Sequence, residues 1–171
     1  GMAVPTTWEE YAAMCDAFVN GDPDGDGVKD TYAVTAPGFV AAETPYINYL
    51  PEFYQDAYPS FYKDADGVWH DGFVEPAMEA ALARLTDGYA KGWIDPTTLT
   101  NGTKDCRNKY FDNTTGVFTY WAGTWATNLK NSLEKNNVDS ELIPLPPLVD
   151  AEGKSLYQYF DRTPPVWSIS S

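Results

Sequence analysis

Four aspartates in a nine-residue segment near the start of the chain have the spacing of a cation-binding loop. They are Asp22, Asp24, Asp26 and Asp30, at positions 1, 3, 5 and 9 of the segment. Gly27 occupies position 6, where such a loop turns sharply, and the carbonyl of Val28 is available at position 7. Without a cation, carboxylates this close together would repel one another and open the loop.

Calcium suits this segment better than magnesium, because Ca²⁺ accepts about six to eight oxygens in a flexible geometry. Position 12 is Ala33 rather than a bidentate Glu, and the residues that follow have strand composition rather than that of an exiting helix. The pattern therefore predicts a fixed structural calcium site, not a sensor, with Thr31 or a water as a further ligand. The alternative is a solvated turn, since Asp and Gly are also common in turns.

The composition of the chain excludes several classes of function. Its 171 residues include 25 acidic and 11 basic side chains, which give a net charge of −14. Nucleic acids and anionic membranes need clustered Lys and Arg, so neither is an expected partner. The length predicts one domain with a substantial core, and no apolar run is long enough for a membrane helix. Gly1 before Met2 resembles the remnant of a cleaved tag, so we expect a piece of a longer protein.

The cysteines and the single histidine narrow the chemistry further. Cys15 and Cys106 could form a disulfide or be two small core residues. The only histidine, His70, follows Trp69 in a predicted hairpin, where a structural role is expected. Without a Cys/His cluster, neither a zinc site nor a catalytic triad is predicted.

Alternating helical and strand patterns predict an α/β fold. A capping box from Thr7 to Glu10 starts the first helix, and Met78, Leu82, Leu85 and Tyr89 form the apolar stripe of a later one. Helices are predicted over residues 8–20, 44–54, 76–91 and 105–111 and from residue 123, and strands over 32–35, 61–63, 68–70, 116–121, 142–148 and 165–170. The prolines within 142–148 predict an edge strand there.

Aromatic residues recur where predicted strands end and helices begin. They are Tyr46, Tyr120, Trp121 and Trp125. In open α/β sheets, ligands bind at the carboxyl ends of the strands, and aromatic faces there suit the apolar faces of sugars. Core packing is the alternative for each of them. Trp121 lies within a strand pattern that favours the core, and Trp125 follows a Gly-Thr turn that favours a cleft.

Several segments in series resemble the extracellular solute-binding proteins of ABC importers, the family of maltose-binding protein. They are Pro5-Thr-Thr-Trp8, Asp22-Pro-Asp-Gly-Asp-Gly-Val-Lys-Asp30, Glu43-Thr-Pro45-Tyr46, Gly92-Trp-Ile-Asp95-Pro96 and Gly116-Val-Phe-Thr-Tyr-Trp-Ala-Gly123-Thr-Trp125. The resemblance implies a type II periplasmic-binding-protein-like fold, with helices layered around a mixed sheet. Residues 1–171 would form a single domain, the C-terminal-type lobe of a two-lobed protein.

The resemblance also implies a function. The whole protein would bind an oligosaccharide between two lobes and deliver it to the permease subunits of an ABC importer. Tyr46 and Trp125 would stack on the sugar, with Trp121, Tyr120 and Glu43 as further contacts. The protein would be extracellular or periplasmic, with a lipid anchor, and would not be an enzyme.

Two other classes of function remain open at this point. One is a calcium-stabilised carbohydrate-binding module of a secreted enzyme, although such modules are usually all-β sandwiches. The other is a glycosidase that uses paired carboxylates. With 25 acidic residues such a pair can always be nominated, so this signal is unspecific.

Overall fold

The first helix shows how the local sequence builds the fold. A computed structural model describes residues 2–37, 57, 61–119, 122–138 and 141–154. Helix α1 spans Trp8–Asn20 and starts with the expected capping box. The Thr7 hydroxyl accepts a hydrogen bond from the Glu10 N–H, and the Glu10 carboxylate accepts one from the Thr7 N–H. Because both bonds satisfy N–H groups that lack helical partners, the start of α1 is fixed by local chemistry.

A small parallel sheet forms the centre of the molecule. Strand β1, Tyr32–Thr35, pairs in parallel with strand β4, Thr115–Phe118, and Val34 lies opposite Val117. On the other side of β1, Val34 forms a parallel bridge with Ile94. Three backbone segments thus run side by side in one direction. Their carboxyl ends therefore meet at one edge, the edge where ligands bind in open α/β sheets.

Helix α1 packs against this sheet through a close contact between an aromatic ring and a glycine. Phe18 of α1 lies over Gly116 of β4, where an added Cβ would come 2.1 Å from a carbon of the Phe18 ring. The buried side chains of Tyr11 and Cys15 pack in the same core as Val34. Gly116 is therefore needed for the approach of the helix to the strand.

Helix α2, Pro76–Ala90, buries most of the face that the apolar stripe predicts. Met78 is buried, and Leu85 and Tyr89 are partly buried against the core, whereas Leu82 is 48% exposed. The expectation that Leu82 belongs to the inward stripe is wrong, because Ala81 and Gly88 are the residues buried beside Met78. Gly92 follows the helix with φ = 75°, a left-handed conformation that glycine adopts without strain.

The predicted hairpin is present beside the sheet. Strand β2, Phe61–Lys63, pairs antiparallel with strand β3, Trp69–Asp71, through a turn around Asp64. A short 3-10 helix, Gly72–Val74, then leads into α2.

Two further helices complete the described part of the chain. Helix α3 spans Thr103–Phe111 and contacts β4, and helix α4 spans Ala122–Lys135 and contacts α3. The expected helix starts at 105 and 123 are therefore one to two residues late. None of the helices described is both long and apolar enough to cross a membrane.

A buried carboxylate, that of Asp95, lies at the carboxyl ends of the central parallel segments. The side chain of Asp95 is fully buried, and its Oδ2 accepts bonds from Thr35 Oγ1 at 3.0 Å, Asn101 Nδ2 at 2.8 Å and Lys109 Nζ at 2.6 Å. Its Oδ1 accepts from the N–H and hydroxyl of Thr97 at 3.0 and 2.9 Å. Burial alone would raise the pKa of Asp95, but the bonds from Lys109, Thr97 and Asn101 together lower it.

Other expectations are corrected or fall outside the described residues. Residues 142–148 form no strand. The neighbouring residue Val149 forms a single parallel β-bridge with Thr7. The prolines at 144, 146 and 147 have no N–H to donate, which explains the missing ladder. Cys15 and Cys106 are both buried thiols and form no disulfide. The helix expected over 44–54 and the strand expected over 165–170 lie outside the described residues.

Replacing Asp95 tests how much the fold depends on this carboxylate. Asp95→Ala should lower the free energy of unfolding by about 3–5 kcal/mol, because it removes the acceptor of the Lys109 ammonium and of three polar side chains. Chemical denaturation monitored by tryptophan fluorescence measures the loss.

The matched control for this variant is Asp87→Ala. Asp87 also lies 2.6 Å from a lysine, Lys91, but both side chains are about half exposed. Removing this surface pair should change the stability by less than about 1 kcal/mol. Equal losses for the two variants would show that burial of Asp95 is not what matters.

Candidate functional site

The structure brings three of the four aspartates of the acidic loop together. One carboxylate oxygen from each of Asp22, Asp24 and Asp26 lies within 4.8 Å of the others, and all three side chains are exposed. Asp30, also exposed, is not part of this group. The loop thus gathers the carboxylates at positions 1, 3 and 5, the arrangement that a hard cation requires.

Backbone N–H groups fold the loop around these carboxylates. Asp22 accepts from the N–H of Asp26 at 3.1 Å and of Gly27 at 2.9 Å, and Asp26 accepts from the N–H of Val28 at 2.7 Å. Gly27 has φ = 88°, in the left-handed region where a side chain would be strained. The turn expected at position 6 is therefore present.

The electrostatics of the loop fit a cation. The pKa of Asp24 is raised, first by partial loss of solvation, then by a hydrogen bond with the Asp22 side chain and by the charge of Asp26. Thr31 is only 3% exposed, and its hydroxyl oxygen has no hydrogen-bond partner in the described structure. Crowded carboxylates and a buried hydroxyl at the end of the loop are groups that an oxygen-binding metal would satisfy.

Trp125 lies in the first turn of α4, beyond the carboxyl end of β4. Its side chain is half-buried, and the guanidinium carbon of Arg107 lies 3.9 Å from its ring centroid. This distance places the guanidinium of Arg107 over the indole ring, within range of a cation–π interaction. Sequence reasoning singled out Trp125 but not Arg107, because no local pattern marks a contact between two different helices.

The other aromatic and acidic residues expected at the ligand site lie outside the described residues. They are Glu43, Tyr46, Tyr120 and Trp121. Their roles therefore stay predictions.

The acidic loop and Trp125 lie at opposite ends of the parallel sheet. The loop precedes β1 and Trp125 follows β4, and these two strands run in the same direction. Each strand has four residues and is roughly 13 Å long, so the chain enters β1 and leaves β4 about that far apart. A cation in the loop would therefore stabilise the link between α1 and β1 without touching a ligand at Trp125.

His70 has the structural surroundings expected of it. Its Nε2 lies 2.8 Å from Asp64 Oδ2, and its ring stacks on Tyr62 with centroids 5.1 Å apart. The Tyr62 hydroxyl donates to Glu75 Oε1 at 2.8 Å. These contacts join the hairpin to the start of α2, so His70 has partners that explain it without catalysis.

Comparison with known proteins supports the fold. No known family and no curated protein matches the sequence. Among solved structures, the chain has the fold of part of a solute-binding protein. That protein is an HMO binding, ABC-transporter-associated solute binding protein from Bifidobacterium longum infantis, with a TM-score of 0.56 and 21% identity. The match covers 68% of this chain and 25% of that one, so the chain spans about a quarter of that protein's length.

The contacts of Asp64 make the stability of the hairpin depend on pH. The pKa of Asp64 is lowered, chiefly by the hydrogen bond with His70 and then by the Val68 N–H. A lowered pKa in the folded state means that ionised Asp64 contributes stability above the ordinary pKa of Asp and loses it as pH falls through the lowered value. Asp64→Asn should therefore lower the melting temperature at pH 7, and its deficit should shrink towards pH 2.

Thermal melts across this pH range check the prediction. Asp66→Asn is the control, because the Asp66 carboxylate in the same turn accepts no hydrogen bond in the described structure. A deficit for Asp64→Asn that stays constant with pH would contradict the electrostatic explanation.

Proposed function

We propose that this chain is part of a solute-binding protein that captures an oligosaccharide outside the cytoplasm for an ABC importer. The observation that carries the proposal is the shared fold with the HMO binding protein over 68% of the chain. HMO are oligosaccharides, and the series of family-like segments in the sequence points to the same class of ligand. The remaining lobe, the permease partners and a lipid anchor belong to the same proposal.

Trp125 is the described residue that best supports a sugar site. It follows the carboxyl end of a parallel strand, where ligands bind in this class of fold. Arg107 lies against its ring, and the indole is the apolar surface on which a sugar would stack. In the proposed mechanism, the two lobes close over the sugar by a hinge motion, and this stacking contact is one of those that closure completes.

Two alternatives fit the structure less well. An all-β carbohydrate-binding module does not match a chain whose described residues include four α-helices and only short strands. The group of three acidic side chains that lie together in the described part of the chain is the exposed loop of Asp22, Asp24 and Asp26. The backbone N–H groups that bond to Asp22 and Asp26 suit a cation loop better than a pair of catalytic carboxylates.

We further propose that the acidic loop holds a structural Ca²⁺. Asp22, Asp24 and Asp26 would supply carboxylate oxygens, with Asp30, the Val28 carbonyl and Thr31 as further ligands. The bound ion would neutralise the repulsion among the carboxylates and fix the link between α1 and β1.

Calcium removal tests this second proposal. Calcium at about one hundred times its Kd should stabilise the folded state by about 2.7 kcal/mol, which raises the melting temperature by roughly 5–10 °C over that in EDTA. Asp24→Asn should abolish most of this increase, and Asp66→Asn, in the Asp-rich hairpin turn, should retain it. A melting temperature that does not respond to calcium in the wild-type protein would leave the loop as a solvated turn.

Ligand titration tests the sugar site in the full-length, two-lobed protein. Isothermal calorimetry with a panel that includes maltotriose, cellotetraose and lacto-N-tetraose should detect binding by at least one member. Trp125→Ala should weaken that binding about tenfold or more, because a stacking face is lost. Trp69→Ala is the matched control, since Trp69 is 69% exposed on the hairpin and should not affect binding. Heat with peptides or polyamines but with no oligosaccharide would refute the sugar assignment.

A further inference from the structure

The chain contains two Asn-Gly pairs in opposite surroundings, Asn20-Gly21 and Asn101-Gly102. Asn20 is the exposed last residue of α1, and its side chain donates to the Asp16 carbonyl at 3.0 Å. Asn101 lies in the loop before α3 and is only 4% exposed. The same dipeptide is therefore open to water at one place and enclosed at the other.

An asparagine followed by glycine is the site in a protein chain that loses its side-chain amide most readily. The glycine nitrogen gives up its proton to water and attacks the asparagine Cγ. The new N–Cγ bond closes a five-membered succinimide, while the Cγ–Nδ2 bond breaks and ammonia leaves. Water then opens the ring at either carbonyl, to give aspartate or isoaspartate. Glycine favours the attack because it has no Cβ to crowd the nitrogen or restrict the backbone.

Hydrogen bonds hold both reacting groups of the Asn101 site away from this reaction. The Nδ2 of Asn101 donates to Asp95 Oδ2 at 2.8 Å and to Thr35 Oγ1 at 3.2 Å, which directs the amide into the buried network. The N–H of Gly102 donates to Asp105 Oδ2 at 2.9 Å, and a carboxylate beside an N–H opposes the loss of its proton. The loop must therefore open before the nitrogen can attack.

The product of the reaction does not fit where Asn101 lies. An oxygen would replace Nδ2, so two carboxylates would meet where a donor now lies 2.8 Å from Asp95. Two carboxylates that share a buried site cannot both ionise without a large cost. Isoaspartate also lengthens the backbone by one methylene group between Asp95 and α3. Because the ammonia has left, the change does not reverse.

We propose that Asn101 is a deamidation site that the folded structure closes, and that its conversion to a carboxylate disables the Asp95 network. The site reacts through molecules in which the loop before α3 has opened. Each such reaction removes a molecule from the folded population permanently. The Asp95 network thus sets how fast the chain is chemically altered, in addition to how stably it folds.

Peptide mass spectrometry of the full-length wild-type protein tests the closure of the site. The protein is incubated at pH 8, in buffer or in a denaturing concentration of urea, and deamidation of each Asn-Gly peptide is followed with time. In urea, Asn20 and Asn101 should convert at comparable rates. In buffer, Asn101 should convert at least about one hundredfold more slowly than in urea, because only opened molecules react.

Gly102→Ala confirms the chemistry of the attack. The added Cβ would lie 3.3 Å from Asp105 Oδ2, the end of an exposed side chain that can move aside. The variant should slow the conversion of Asn101 in urea and leave that of Asn20 unchanged. Equal rates at Asn101 in the variant and the wild-type protein would overturn the assignment of the site.

Asn101→Asp tests the effect of the product on the network, with Asn20→Asp as the matched control. Thermal melts of the full-length protein should show a melting temperature lower by roughly 10 °C for Asn101→Asp. The control should lower it by less than about 2 °C, because its new carboxylate is exposed at the end of α1. Failure of Asn101→Asp to fold, with a folded control, counts as the same result.

The outcomes decide the inference without a ligand, so they stand whether or not the protein binds a sugar. Slow conversion of Asn101 in buffer alone, together with an unstable Asn101→Asp, supports it. Conversion of Asn101 at one rate in buffer and urea, or none in urea while Asn20 reacts, overturns the closed site. Equal melting temperatures for Asn101→Asp and Asn20→Asp overturn the effect on the network.

Discussion

The buried carboxylate of Asp95 is the interaction on which the rest of the described structure depends. A carboxylate removed from water is stable only if charge and hydrogen bonds replace its hydration. Here the replacement groups come from the end of β1, the loop that follows Asp95 and helix α3. Because the Asp95 carboxylate accepts bonds from all three segments, these segments must lie close together. This requirement fixes the carboxyl edge of the sheet.

The two ends of the central parallel sheet differ in their charged groups. At the amino end of β1, the acidic loop gathers carboxylates that repel one another, so that end favours a cation. At the carboxyl end, the Asp95 network satisfies its charges internally, and Trp125 lies beyond β4 in contact with Arg107. The proposed cation site and the proposed sugar-stacking ring therefore belong to different ends of the sheet.

Features determined by neighbouring residues could be predicted from the sequence, and features determined by distant ones could not. The capping box at Thr7 and the strand Tyr32–Thr35 both follow from local pattern. The inward face of α2 was predicted only in part. Ala81 and Gly88 are buried, but side chains this small do not stand out in an apolar stripe. Nor does any spacing rule link Asp95 to Thr35, 60 positions away.

The same limit applies to the candidate site. The acidic loop could be predicted because its ligands lie within one short segment, and the structure gathers three of its four aspartates. Trp125 was singled out through its place after a strand, yet Arg107, which contacts its ring, lies on another helix.

The two cysteine thiols have a consequence for where this chain can fold. Both are buried, and burial raises the pKa of the Cys106 thiol to about 12. This thiol is therefore protonated at neutral pH, and the thiolate is the form that reacts with oxidants and disulfides. Because the two cysteines of the chain form no disulfide, the described fold does not depend on one. The chain can therefore fold without the help of a disulfide-forming enzyme, in oxidising or reducing surroundings.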